Sequence, residues 1–245
     1  MIFNKLLTDP EEIKSKLFDS IERNESLLLT YFNQHCFNIY TKNFVYKKLI
    51  DSDFTVYQAD LGMYLALKLF FIKKIKRIDA TKMNGVILSG LISRKYTVAM
   101  VGGNFNEEFI RRETNKRGVN FVGYYNGFFN EPKTENVIEY LNNLNAQVYI
   151  LGMGVPRQEL FAEKLSQSQS YKVIICVGNF LEFYFGTKKR APVFIQNVGF
   201  EWLFRLFSEP RRLWGRYLIG IPLFFYRIIR IKFQRSKLFS VKKLT

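Results

Sequence analysis

Three short apolar runs, each ending at a glycine, constrain the fold of this chain more than any other feature. They cover residues 96–103, 147–154 and 171–178 and consist mainly of Val, Ile and other apolar residues. Runs of this length without polar alternation are typical of strands that are buried on both faces, as in parallel sheets. The sequence therefore predicts three buried strands of a parallel sheet.

Helix-like stretches separate these runs and complete a repeating order of strand, glycine turn and helix. This alternation predicts an α/β fold with a Rossmann-like, mostly parallel sheet and helices on both faces. The first ninety residues contain segments of the same kind, which extend the same domain. The helix-like stretches are residues 62–75, 106–116, 134–144 and 158–167, and the earlier apolar runs are 27–31 and 54–57.

The glycine turns predict a shared ligand crevice. In parallel sheets, ligands bind beyond the carboxyl ends of the strands, where glycine lets backbone N–H groups approach a phosphate. Gly102 and Gly103 form one such turn, and two similar turns follow later in the chain. None of them matches the P-loop pattern or a full G-x-G-x-x-G, which disfavours ATPases and dehydrogenases.

Positive charge is concentrated at the C-terminal end. The chain carries a formal net charge of +16, and residues 188–245 hold fourteen Lys or Arg against two acids. A basic and aromatic-rich end indicates a polyanionic partner, either a nucleic acid or an anionic membrane surface. The apolar run 217–226 is too short to span a bilayer, and the mixed apolar and basic residues after it are typical of a helix in the headgroup plane.

We therefore expect an α/β body at residues 1–194 and a helical, membrane-associating appendage at residues 195–245, here called the tail. Docking of the tail on the body and nucleic-acid binding are the alternatives. The N-terminus lacks a basic region followed by an apolar one, so we expect a cytoplasmic protein held at the inner face of the membrane. Cys36 and Cys176 lie in apolar stretches, as expected in a reducing compartment, and no zinc-type ligand cluster is present.

The sharpest motif of the body is Gly-Met-Gly-Val-Pro-Arg-Gln-Glu at residues 152–159. It joins a strand to a helix start, where the Gln158 amide can donate to a sugar or a phosphate. Together with Arg-Ala-Pro at 190–192 and Glu-Trp-Leu-Phe-Arg-Leu-Phe-Ser-Glu-Pro-Arg at 201–211, it resembles the WecG/TagA/CpsF family of bacterial glycosyltransferases, glycosyltransferase family 26. The resemblance extends over about residues 30–226. Further blocks follow in the family's order, including Gly-Tyr-Tyr-Asn-Gly-Phe-Phe at 123–129.

The resemblance implies a UDP-sugar-dependent, inverting hexosyltransferase that needs no metal and no other cofactor. Its acceptor would be a polyprenyl-diphosphate-linked sugar in the assembly of a cell-surface polysaccharide or a teichoic-acid-type polymer. The family's catalytic carboxylate lies in an Ala-Asp-Gly-x-Gly block, which corresponds to Gln-Ala-Asp-Leu-Gly at 58–62 and makes Asp60 the candidate base. The alternative for Asp60 is a helix N-cap.

The resemblance also implies further site residues. Gln158 matches the family's active-site glutamine. In the tail, Arg205, Arg212 and Arg216 match arginines near the lipid diphosphate, and the last two are four residues apart on one helix face. An ion pair with Glu201 is the alternative for Arg205. A structural role is the alternative for His35. The remaining matched substrate-binding positions are Asn33, His35, Arg77, Gly102, Gly103, Gly127, Gly154, Arg157 and Glu182.

Two rival functions follow from other features. Asp51-Ser-Asp53 fits the Asp-x-Asp pattern that holds a divalent metal in many nucleotide-sugar enzymes, which predicts a metal-dependent transferase of another fold. The basic tail alone would suit a non-catalytic membrane-binding or nucleic-acid-binding module. The leading hypothesis expects a UDP-sugar, a polyprenyl-diphosphate-linked sugar and an anionic membrane surface as partners, is compatible with a homo-oligomer, and expects no nucleic acid.

Overall fold

The computed structural model describes residues 2–71, 75–168 and 172–242, which form one six-stranded sheet with surrounding helices. All paired strands run parallel, in the order β2-β1-β6-β5-β3-β4. The three predicted runs form β3, β5 and β6, although Tyr171 of the last run lies outside the described residues. The strands are β1 (Leu27–Phe32), β2 (Phe54–Gln58), β3 (Val98–Gly102), β4 (Phe121–Tyr125), β5 (Val148–Gly152) and β6 (Val173–Cys176).

The body helices agree with the predicted alternation. The predicted helix at 62–75 begins at Asp60 and continues into a π-helical turn, Leu67–Phe71, while residues 72–74 lie outside the described part. The helices are α1 (Pro10–Glu22), α2 (Gln34–Tyr40), α3 (Phe44–Ser52), α4 (Asp60–Ala66), α5 (Ala80–Ser93), α6 (Glu107–Lys116), α7 (Thr134–Asn143), α8 (Arg157–Gln167) and α9 (Phe180–Tyr184).

The helices cover both faces of the sheet. On one face, α3 packs against α8. On the other, α1 packs against α5, where a Cβ atom on Gly90 would lie 2.4 Å from the Phe18 ring and the Arg94 guanidinium lies 4.1 Å from its centroid. All residues of β1, β3 and β6 are buried, as strands covered on both faces require. The predicted α/β fold is confirmed.

The strand order creates a switch point between β3 and β5. The chain leaves β3 toward β4 at one edge, and it leaves β5 toward β6 in the opposite direction. Connections that diverge in this way leave a crevice beyond the carboxyl ends of the two strands, where open α/β sheets bind ligands.

The tail is helical and docks on the body. Phe224 is fully buried and meets the Phe37 ring edge to face at 5.4 Å. Asn38 of α2 donates to the Gly220 carbonyl oxygen at 2.6 Å and accepts from Arg227 at 2.8 Å. The predicted division after residue 194 falls inside a helix. The helices of this part are α10 (Val193–Val198), α11 (Glu201–Ser208), α12 (Pro210–Trp214) and α13 (Gly220–Lys242), with a π-helical turn at Gly215–Ile219.

Among the helices that the structure describes, none is both long enough and apolar enough to cross a bilayer.

Candidate active site

Asp60 stands at the carboxyl end of β2, where the strand turns into α4. Its φ angle is +66°, in the left-handed region that costs a residue other than glycine about 1 kcal/mol. Its backbone N–H donates to the Ile78 carbonyl oxygen at 2.9 Å, which holds this conformation. The alternative prediction of a helix N-cap is wrong, because Ala59 occupies the cap position and makes no side-chain cap bond. Strained residues of this kind cluster at functional sites.

The Asp60 carboxylate is partly buried and is oriented by a neighbouring amide. Asn33 Nδ2 donates to Asp60 Oδ2 at 3.0 Å, while Asn33 Oδ1 accepts two backbone N–H groups in the first turn of α2. Burial raises the pKa of Asp60, the Asn33 hydrogen bond opposes the rise, Asp79 adds to it, and Arg205 and Arg216 oppose it. A fixed carboxylate with a raised pKa suits a general base.

Asp60 and Asn33 line a cavity of about 260 Å³ between the carboxyl edge of the sheet and the tail. Its walls come from the ends of β1, β2 and β6, from α4 and α5, and from α11 and the residues that follow. Polar groups from the body thus face polar groups from the tail across one space. The polar lining residues are Asn33, Gln34, Asp60, Arg77, Asp79, Thr81, Asn179, Glu201, Arg205 and Arg216.

Two arginines of the tail bring positive charge to this cavity. Arg205 belongs to α11 and Arg216 to the π-helical turn, and both line the cavity. Their Nε atoms are buried and have no hydrogen-bond partner in the described part of the chain. The Arg205 guanidinium lies 5.2 Å from the centroid of the Phe183 ring. Buried donors without partners are costly, so the pair suits an anionic ligand.

An ion cluster holds α11 against the body. The predicted alternative partner of Arg205 is wrong, because Glu201 pairs with Arg190 at 3.2 Å. The same guanidinium lies 2.6 Å from the Asp79 carboxylate at the start of α5. Arg190 therefore links α5 to α11. Because Glu201 pairs with Arg190, the Arg205 side chain can bind a ligand in the cavity.

Other predicted residues lie around the cavity in different settings. Arg77 lines it and donates to the Gln196 carbonyl oxygen at 3.2 Å. Arg212 is not among the lining residues and pairs with Glu209 at 2.6 Å. His35 is also outside the lining, and burial lowers the pKa of its imidazole to about 3, which keeps it neutral. The position of His35 outside the lining agrees with the structural alternative, and its contact with substrate stays a prediction.

The predicted glycines meet at a second place on the same edge, between β3 and β5. Gly102 and Gly152 are register partners, and a Cβ atom on Gly102 would lie 2.6 Å from the Gly152 carbonyl group. The Gly127 N–H donates to the Gly103 carbonyl oxygen at 3.1 Å. Gly154 follows with a φ angle of +81° and open space where a side chain would stand. Glycine therefore allows close backbone packing at the switch point, and open space remains at Gly154.

A known protein family matches the part of the sequence that forms both the cavity and the glycine turns. The profile of the "Glycosyl transferase WecG/TagA/CpsF family" matches residues 4–238, which is nearly the whole chain. The chain belongs to this family. Its activity class is therefore glycosyl transfer, and the match extends beyond the residues on which the resemblance rested.

In this WecG/TagA/CpsF glycosyltransferase, the glutamine of Pro-Arg-Gln-Glu is buried and bonded to protein groups. Gln158 Oε1 accepts from the Gly178 N–H at 3.0 Å and from the Gly154 N–H at 3.3 Å. Its Nε2 atom donates to Glu159 Oε1 at 2.8 Å, and Thr30 Oγ1 donates to the same oxygen at 2.8 Å. The amide thus joins the turns after β5 and β6, and its predicted contact with substrate stays a prediction.

Neighbours of this glutamine are also engaged within the protein. Burial raises the pKa of Glu159 to about 7. Arg157 donates to the Phe129 carbonyl oxygen and lies 4.9 Å from the centroid of its ring. Glu182 pairs with Lys188 at 2.7 Å. Neither Arg157 nor Glu182 is among the residues that line the cavity.

The metal-binding candidates lie at the opposite edge of the sheet. Asp51 and Asp53 precede β2, whereas the cavity lies beyond its carboxyl end. The Asp51 carboxylate forms an ion pair with Lys47 at 2.6 Å and accepts a hydrogen bond from the Tyr40 hydroxyl at 2.8 Å. Within the described ranges, no three His, Cys, Asp or Glu residues are grouped so that they could hold a metal ion.

Sequence reasoning missed several lining residues, among them Gln34, Asp79 and Asn179. A signal existed for Asp79, which precedes α5 and accepts from the Lys82 N–H at 2.9 Å as a helix cap. Gln34 stands inside the matched block beside Asn33, but a glutamine carries no chemistry that marks it without its surroundings.

Proposed function

We propose that this family member is an inverting hexosyltransferase that moves a sugar from a UDP-sugar to a polyprenyl-diphosphate-linked sugar. The product is a lipid-linked intermediate of a cell-surface polysaccharide or a teichoic-acid-type polymer. The reaction takes place at the inner face of the cell membrane and uses neither a metal ion nor another cofactor.

The convergence of Asp60, Arg205 and Arg216 on one cavity carries this proposal. The acceptor hydroxyl oxygen forms a bond to the anomeric carbon while the bond from that carbon to UDP breaks, and UDP keeps the electron pair. The hydroxyl proton passes to Asp60, whose carboxylate is partly buried and held by Asn33. The two guanidinium groups bind the diphosphate of the acceptor, for which their donors are suited.

The glycine turns between β3 and β5 bind the nucleotide end of the donor. Backbone can approach a ligand closely where no side chain intervenes, as at Gly154, where a Cβ atom would meet open space. β5 lies three strand spacings from β2, at whose carboxyl end Asp60 stands, or roughly 14 Å at about 4.8 Å per spacing. The nucleotide therefore extends from the glycine turns along the sheet edge, so that its β-phosphate and the anomeric carbon bonded to it through one oxygen lie beside Asp60.

The exposed apolar side chains of the C-terminal part support binding to a membrane surface. The large apolar residues that are most exposed concentrate in this part of the described chain, and basic residues accompany them. Such side chains enter the interface while cations meet anionic lipid headgroups. The residues are Val193, Phe194, Val198, Phe200, Phe207, Trp214, Leu218, Ile219, Tyr226, Ile229 and Phe233.

A donor screen tests this proposal. UDP release is followed with several UDP-sugars and a short-chain prenyl-diphosphate-linked sugar, with and without EDTA. We expect acceptor-dependent UDP release with at least one donor, and the same rate in EDTA. Loss of the rate in EDTA, restored by a divalent metal, would support the metal-dependent rival. UDP release at the same rate with and without the acceptor would contradict the proposed transfer.

A further inference from the structure

The side chain of Gln34 has no role in the chemistry described so far. Gln34 is the first residue of α2, next to Asn33, and it is only 8% exposed. It lines the same cavity as Asp60. A Cβ atom on Gly62, two residues after Asp60, would lie 3.2 Å from Gln34 Oε1, so the amide packs over the first turn of α4.

The Gln34 amide forms no hydrogen bond with the part of the chain that the structure describes. Its Oε1 atom is buried without a hydrogen-bond partner, and no bond from its Nε2 atom to another described residue is formed. The amides of Asn33 and Gln158 differ, because both ends of each are bonded. A buried polar atom without a partner typically costs about 1–3 kcal/mol. A ligand that pairs with the amide would remove this cost.

Gln34 offers a different kind of hydrogen-bonding group from the two arginines that line the same cavity. It follows β1, roughly 14 Å across the sheet from the glycine turns after β3. The unpaired arginine Nε atoms on the tail side are donors and suit phosphate oxygens. An amide that offers both a donor and an acceptor pairs best with groups that do the same, as sugar hydroxyl and acetamido groups do.

We infer that Gln34 binds a hydroxyl or acetamido group of the acceptor sugar, beside the hydroxyl that Asp60 deprotonates, and so selects the acceptor. This inference rests on the proposed transferase function and adds a residue that determines specificity. A site built to bond a substrate polar group rejects analogues that lack it, because its own buried amide is then left unpaired.

Calorimetry with full-length protein tests this role separately from turnover. The probes are farnesyl diphosphate and its conjugates with glucose, galactose, mannose and their 2-acetamido forms. In wild type, we expect at least one conjugate to bind more tightly than farnesyl diphosphate. Gln34→Leu should bind farnesyl diphosphate as wild type does and lose about tenfold or more of the sugar-dependent gain. Gln34→Glu, which keeps an acceptor, should retain more of the gain than Gln34→Leu.

Thermal unfolding provides the folding control. Because leucine removes an unpartnered buried amide, Gln34→Leu should not lower Tm while it weakens binding. Gln167→Leu, at an exposed position at the end of α8, is the matched substitution outside the cavity and should change neither quantity. A Gln34→Leu variant that lost Tm and affinity together would indicate a structural residue.

The outcomes separate the two proposals. If wild type transfers sugar and Gln34→Leu keeps the full sugar-dependent gain in affinity, Gln34 does not bind the acceptor sugar. The transferase proposal would then stand without this inference. An equal loss of affinity for farnesyl diphosphate would assign the amide to the diphosphate and overturn the inference. If wild type neither binds nor glycosylates any conjugate, the proposed function fails and the inference with it.

Discussion

Asp60 is unfavourable for folding in two independent ways, since its backbone is left-handed and its carboxylate is partly removed from water. Each feature lowers the stability of the folded state, which is expected at a functional position rather than at one that only stabilises the fold. The resemblance to the family identified this position in the sequence. Its backbone angle was not visible there, because it depends on the hydrogen bond to Ile78 from a distant part of the chain.

The raised pKa of Asp60 predicts the acid limb of the rate profile. A base must be deprotonated, so kcat/KM rises as pH rises through the pKa of Asp60 in the folded enzyme. Burial places that pKa above the ordinary value of 3.8. We expect the midpoint of the acid limb to lie above pH 4. The residual rate of Asp60→Asn should show no acid limb. The profile is measured with saturating UDP-sugar, and a limb that persists in this variant would assign the base to another group.

Glu159 predicts a pH dependence of stability. Its pKa rises from 4.5 to about 7 on folding, so the folded state holds the proton more tightly between these values. The contribution of Glu159 to stability is therefore present below pH 4.5 and is lost as pH rises through about 7. Relative to Glu159→Gln, wild type should lose Tm between pH 5 and pH 8. Parallel Tm curves for the two proteins would mean that Glu159 titrates normally.

At the scale of elements, the two arginines that line the cavity should differ from the one that does not. Arg205→Gln and Arg216→Gln each remove a charged donor from the cavity, so KM for the lipid-diphosphate acceptor should rise about tenfold or more. Arg212→Gln is the matched control, because Arg212 pairs with Glu209 outside the lining. Steady-state kinetics for the three variants check this. Equal damage from Arg212→Gln would extend the diphosphate site along α12, as the family resemblance implied.

Elements were predictable where burial alone determines them. β3, β5 and β6 are apolar throughout because helices cover both of their faces, and each ends where glycine permits the turn. The partners of single side chains were not predictable in this way. Glu201 and Arg205 are four residues apart on one helix, yet Glu201 pairs with Arg190, and Gln158 bonds to turns brought together by the sheet. Local spacing cannot reveal partners that only the folded chain supplies.

At the scale of the whole molecule, the tail closes the cavity and also presents apolar side chains to the outside. Phe224 and Ile228 are buried against the body, whereas Phe207, Trp214 and Leu218 are more than half exposed. Docking of the tail and the proposed membrane binding therefore involve different side chains of the same segment. The sequence pattern of mixed apolar and basic residues could not assign side chains to one role or the other.

This division predicts the effect of surface substitutions on lipid binding. Replacing Phe207, Trp214 and Leu218 together with Asn should reduce co-sedimentation with anionic liposomes about tenfold or more, because their apolar area no longer enters the interface. Phe128→Asn, at an equally exposed position in the body, is the control and should bind lipid as wild type does. Undiminished sedimentation of the triple variant would mean that these side chains do not contact the membrane.

The transfer rate of Asp60→Asn beside that of Asp53→Asn tests the central claim most directly. The two carboxylates lie at opposite ends of β2, and Asp60 alone lines the cavity. We expect Asp60→Asn to lower kcat by two or more orders of magnitude while its affinity for UDP persists, because the base acts on the acceptor. Asp53→Asn should keep near wild-type turnover. A nearly active Asp60→Asn, or an inactive Asp53→Asn that remains folded, would contradict this account.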